Sequence, residues 1–110
     1  MRLVQWSGAV TDAPTFVRGS RTHSMHEQFD VRRDDGLVFR VVLNIDIAPR
    51  VPVQPGDRIT VRGEAVGTAR RPIVHWTHHD PHGSHPDGWI EHAGRRYELP
   101  AIRTAVVLGS

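Results

Sequence analysis
From Leu37 to Ile47 the residues Leu37, Phe39, Val41, Leu43, Ile45 and Ile47 alternate with Val38, Arg40, Val42, Asn44 and Asp46. This period-2 pattern predicts one long strand with an apolar face. Just before it, Phe29 and Val31 alternate with Gln28, Asp30 and Arg32. Asp35-Gly36 between the two runs predicts a hairpin turn, with glycine supplying a positive φ. An opening strand is expected from Leu3 to Thr11, bent or bulged at Gly8. His23 and His26 fall in a polar stretch that reads as a loop.

Further along, Pro55-Gly56-Asp57 predicts a turn before a half-buried strand, Arg58 to Glu64, with Ile59 and Val61 inward. Pro72 introduces a short strand from Ile73 to Thr77. Trp89 to His92 and Arg96 to Leu99 flank Ala93-Gly94 as a last hairpin. No amphipathic helix or internal repeat is evident. Short strands punctuated by Gly and Pro predict an all-β domain spanning residues 1–110. Its length and its one long strand point to a five- to six-stranded OB-like barrel. The stretch from Val53 to Gly63 resembles the third strand of such a barrel.

Composition narrows the chemistry. The chain has 110 residues and no cysteine, which excludes disulfides, thiolate metal sites and cysteine nucleophiles. All 14 basic residues are arginine, which also excludes a lysine Schiff base or a P-loop lysine. A formal charge of +2 argues against a strong sequence-independent nucleic-acid binder. No apolar run approaches the length of a membrane span. The first residues lack the apolar core of a signal peptide, so a cytoplasmic location is expected.

Histidine is the informative excess. Six of the eight histidines lie between His75 and His92. Asp80-Pro81-His82-Gly83 and His85-Pro86-Asp87-Gly88 both have the make-up of type I turns, so a doubly turned loop is expected after Thr77 or His78. A straight strand would hold His75 and His79 about 13 Å apart, too far for one ion. The turns must fold the loop back for the two to meet. Val74 and Trp76 read as core-facing, which places His75 and Thr77 outward. Asn44 and Asp46 also lie opposite an apolar face, so they and His75 are expected on one surface. The spacing matches neither a zinc finger nor HExxH, and it specifies no particular metal.

At this segment, His75-Trp76-Thr77-His78-His79-Asp80-Pro81 with Asn44-Ile45-Asp46-Ile47-Ala48-Pro49-Arg50, the sequence resembles a bacterial domain-of-unknown-function family of small proteins. The resemblance runs from about Gly19 to Tyr97 and includes His26, Gly56-Asp57, Gly63-Glu64, His85, Gly88-Trp89 and His92. Leu43 stands where the family usually has histidine, and no tryptophan follows Gly63-Glu64. The resemblance implies a compact β-barrel and brings no established activity. It implies that His26, Asn44, Asp46 and the later histidines belong to one site.

Two classes of function are expected from these residues. In the first, the protein is a metal-dependent hydrolase acting on a phosphodiester or nucleic acid. His75, His79 and His85 hold a divalent ion, with Zn²⁺ foremost, and Asp46 serves as a further ligand or a catalytic carboxylate. His78 or His26 is the acid or base, and Arg40 or Arg50 holds a phosphate, with Asn44 and Trp76 on the substrate side. In the second, the domain binds single-stranded nucleic acid without chemistry, through Arg32, Arg40, Trp76 and Trp89. A metal-binding protein without turnover uses the same histidines as the first. Metal-free acid–base cleavage by paired histidines is the remaining alternative.

Overall fold
The alternating run at the centre of the sequence forms the centre of a closed barrel. The computed structural model describes residues 2–20, 23–75 and 88–98. The histidine-rich segment from Trp76 to Asp87 and the tail from Leu99 onward lie outside them. Eight strands are present in that part: β1 Arg2–Val10, β2 Thr15–Arg18, β3 Met25–Arg32, β4 Val38–Asn44, β5 Arg58–Gly67, β6 Pro72–His75, β7 Trp89–His92 and β8 Arg95–Tyr97.

Five of these strands close the barrel in the order β1-β3-β4-β6-β5, with β5 returning to β1. All its pairings are antiparallel except β4 with β6, which run parallel. The fold is therefore an OB-like barrel. In chain order β5 is the fourth barrel strand, not the third, because β1, β3 and β4 all precede it. Outside the barrel, β2 pairs with β3, and the β7–β8 hairpin pairs with β5. The strand β2 went unexpected: all four of its residues are exposed, so it carries no alternation to detect.

The closure depends on Gly8. Residues 2–9 of β1 pair with β5, while Ala9 and Val10 pair with β3. The strand thus passes from one half of the barrel to the other at this point. A Cβ on Gly8 would lie 2.2 Å from the Arg32 carbonyl oxygen. Only glycine allows the β1 and β3 backbones to approach so closely.

The core follows the predicted parity. Phe29 and Val31 of β3, Phe39, Val41 and Leu43 of β4, Ile59 and Val61 of β5, Val74 of β6 and Ile90 of β7 are all buried. Trp6 packs edge-on against Phe39, with ring centroids 5.1 Å apart. The loop from 45 to 57 adds Ala48, Val51 and Val53 to the same core.

Two expectations are corrected. The central strand ends at Asn44 and does not continue to Ile47. Asn44 Oδ1 accepts the Asp46 N–H at 3.0 Å, and its carbonyl accepts the Ala48 N–H at 3.2 Å, so the chain turns there. Local side-chain bonding of this kind competes with the ladder. The residue His26 lies in a strand, paired with Asn44 and Val17, and not in a loop. The β3–β4 hairpin itself turns as expected, with Gly36 at φ 90°. In the last hairpin Ala93 and Gly94 both have positive φ, as a two-residue type I′ turn requires.

Candidate functional site
The side chains of chemical interest share the outer face of β3, β4, β6 and β5. Because Val41 pairs with Val74 and both point inward, the next residues, Val42 and His75, are outward neighbours. On the other side of β6, Glu64 pairs with His75. His75 Nε2 donates to Glu64 Oε1 at 2.7 Å, and both side chains are largely shielded from solvent. A carboxylate on one ring nitrogen fixes the tautomer and orientation of the imidazole. Glu64 was not a candidate from sequence, because the β5–β6 register that places it is not visible there.

On the far side of β4, His26 and Asn44 are cross-strand neighbours on the same face. One strand separates His26 from His75. Gln28 is the β3 residue level with His75, and His26 lies two positions along the strand from it, so with strands about 4.8 Å apart and a rise of about 3.3 Å per residue the two backbones are about 12 Å apart. Val42, outward on β4 and level with His75, stands between the two residues. His26 Nδ1 lies 3.1 Å from the Ser24 carbonyl oxygen.

The turn gives Asn44 and Asp46 structural work. Asn44 Oδ1 is committed to the Asp46 N–H. Asp46 is exposed, and its Oδ2 accepts the Met25 N–H at 3.4 Å, tying the turn to the start of β3. Asn44 stays on the outer face beside His26, whereas Asp46 lies beyond the strand end.

Arg40 is on the same face as His75, two residues back along the parallel β4–β6 pair. It donates from Nε to Asp30 Oδ1 at 2.9 Å and stays half-exposed. This ion pair holds the guanidinium more firmly protonated than usual. Arg50 is placed differently. Its guanidinium stacks 4.7 Å above the Phe16 ring. Phe16 is the cross-strand neighbour of inward-facing Glu27, so Arg50 sits on the opposite face of β3 from His26. Trp89 has its ring covered by Arg96 at 4.1 Å, a packing contact. Trp76, His78, His79 and His85 fall outside the described residues. Among the described residues no three His, Asp or Glu side chains cluster as a metal site would require.

Two further ionisable sites were missed. His92 Nε2 lies 2.8 Å from Asp57 Oδ2, pinning the β7–β8 hairpin to the turn before β5. This contact, and then the Gln54 N–H, hold the Asp57 carboxyl below its ordinary value. Glu27 is completely buried. Its Oε1 accepts the Val51 N–H at 2.9 Å, whereas Oε2 has no hydrogen-bond partner among the described residues. Burial pushes its pKa up, opposed by the Val51 bond and by the charge of Arg50. The sequence did carry a signal for Glu27: it shares the inward parity of Phe29 and Val31.

Comparison with curated proteins and with solved structures returns no match. A family model described as "Protein of unknown function (DUF3465)" matches residues 4–98, which takes in the barrel apart from the first two residues of β1, and the β7–β8 hairpin. The chain belongs to this family.

Proposed function
We propose that the protein is a metal-dependent hydrolase of phosphodiesters, with His75 at the centre of its site. The observation that carries this reading is the His75–Glu64 pair on the same face as Arg40. Metal-ligating histidines characteristically give their other ring N–H to a carboxylate. With its proton on Nε2 toward Glu64, His75 would offer Nδ1 to a divalent ion, and His79 and His85 would complete the ligand set. Zn²⁺ suits such an imidazole set. When bound, the ion would lower the pKa of a water and stabilise developing negative charge.

The protein's own residues then have distinct tasks. Glu64 holds the His75 ring. Arg40, fixed by Asp30, would present its guanidinium to a phosphate oxygen; by the spacing and rise of neighbouring strands its backbone is about 8 Å from that of His75. His26 and His78 are the candidate acid and base. His26 shares the outer face with His75, one strand away and two residues along, and its contact with the Ser24 carbonyl sets its ring.

The test is elemental analysis of protein purified without a metal column, paired with hydrolysis of bis(p-nitrophenyl) phosphate and of a single-stranded oligonucleotide. The reading expects one equivalent of Zn²⁺ or a similar ion, and turnover that is lost with chelator and in His75→Ala. Turnover that survives chelator would point to metal-free acid–base cleavage by His26 and His75. Salt-dependent oligonucleotide binding with no turnover and no metal would assign a binding module.

A further inference from the structure
The face that carries His75 continues into a cleft at the other end of the β4–β6 pair. Its volume is about 450 Å³, and Arg40, Arg70, Arg71, Val38 and Ile73 line it. That size is within the range of small-ligand sites. Arg70 and Arg71 belong to the tight turn between β5 and β6. This turn is held by the Arg71 N–H, which donates to Thr68 Oγ1 at 3.1 Å and to the Thr68 carbonyl at 3.2 Å. Gly67 has φ +84°, and a Cβ there would lie 2.8 Å from the Arg71 carbonyl oxygen. The two arginines are therefore presented by a fixed backbone.

Charge and surface specify the ligand. Asp30 offsets one guanidinium through its ion pair with Arg40. Among the described residues, neither Arg70 nor Arg71 is within ion-pair distance of a carboxylate. The cleft thus keeps two uncompensated positive charges beside an apolar wall in which Val38 is 38 % exposed. Guanidinium forks suit phosphate oxygens, and their planes stack on bases. A concavity of this size, with arginines on one side and Val38, Pro72 and Ile73 on the other, suits one unstacked base with its phosphate, which a duplex does not offer.

We infer that this cleft is the second subsite for a single-stranded nucleic acid, holding a phosphate and base next to the nucleotide at His75. This rests on the phosphodiester reading for what happens at His75; binding at the cleft does not. The strand would run along β4 and β6, from the arginine turn toward His75.

The test is fluorescence polarisation with the full chain and a labelled single-stranded DNA 12-mer, titrated at several salt concentrations. The double variant Arg70→Ala/Arg71→Ala should bind about tenfold more weakly or worse, with a salt slope shallower by about one to two counterions. Both residues are exposed, so thermal unfolding of the variant should match that of the wild-type protein. Unchanged affinity and an unchanged salt slope would overturn the inference. So would a duplex of the same length binding as tightly, or millimolar inorganic phosphate displacing the strand completely. His75→Ala separates the two readings. Loss of cleavage there, with affinity and KM unmoved in the arginine variant, removes the subsite and keeps the hydrolase. Weakened binding in the arginine variant, with no cleavage by the wild-type protein, removes the hydrolase and keeps the subsite.

Discussion
His75 Nε2 lies 2.7 Å from Glu64 Oε1, across the ladder that joins β5 to β6. The pair is built into the barrel wall. The next pair of the same ladder, Ala65 with Val74, continues the register, and Val74 is fully buried. Glu64 thus holds one ring nitrogen of His75 from within the barrel wall.

Glu64→Gln tests what the carboxylate contributes. The amide keeps the size of the side chain and can still accept the His75 N–H, but it removes the charge. Under the hydrolase reading, metal affinity or turnover should fall about 10- to 100-fold, while thermal stability changes little. Titration with Zn²⁺ beside phosphodiester hydrolysis measures both. An unchanged metal affinity and rate would reduce the pair to a structural contact.

Gly8→Ala tests the closure of the barrel. The added Cβ would meet the backbone oxygen of Arg32 at 2.2 Å and its carbonyl carbon at 2.7 Å. Backbone atoms cannot swing aside as a side chain would, so β1 and β3 must separate. The expected loss is about 2–3 kcal/mol, at the upper end for overpacking. Urea unfolding followed by tryptophan fluorescence measures it, since Trp6 is two residues from the site. A loss below about 0.5 kcal/mol would mean that the strands part easily there.

The barrel was legible because its inward residues obey strict alternation. Phe29, Val31, Phe39, Val41, Ile59 and Val61 were all placed from pattern alone and are all buried. Pattern failed where a side chain bonds its own backbone: the alternation runs on through Ile45 and Ile47, but Asn44 turns the chain. It also failed for β2, an exposed strand without an apolar stripe. In the site, the outward position of His75 was legible from the parity of Val74. Glu64 was not, because which outward residue faces His75 depends on a register between strands. Nothing in the sequence singles out Arg70 and Arg71, because their convergence with Arg40 depends on the parallel β4–β6 pairing. That pairing joins segments far apart in the chain.

Asp57→Asn tests the anchor of the last hairpin. His92 first, and then the Gln54 N–H, hold the Asp57 carboxyl below its ordinary 3.8. Between the folded and unfolded values the unfolded chain binds more protons, so stability rises with pH through that window. The contribution is complete above 3.8 and is lost as pH falls through the folded value. The variant should therefore melt below the wild-type protein at neutral pH, and the two curves should converge in acid. Melting temperatures at several pH values check this. A gap that persists unchanged in acid would assign the loss to packing and not to charge.

Glu27→Gln has the opposite sign. Burial raises the Glu27 pKa above its ordinary 4.5, so the folded protein binds the extra proton between the two values. Stability is then greatest below 4.5 and falls as pH rises toward the folded value, beyond which the cost of a buried charge is constant. Glutamine removes the ionisation but can still accept the Val51 N–H. The variant should gain on the wild-type protein as pH rises from 4.5, and its own stability should lack that slope. Glu27→Ala separates charge from hydrogen bonding. It also loses the slope, but it leaves the buried Val51 N–H without an acceptor. It should therefore lie about 1–3 kcal/mol below the glutamine variant at every pH, apart from any further loss to the cavity. Denaturant titrations of the three proteins from acid to neutral pH measure all of this. Parallel pH curves for the wild-type protein and Glu27→Gln would show that Glu27 ionises in the folded barrel as readily as in the unfolded chain.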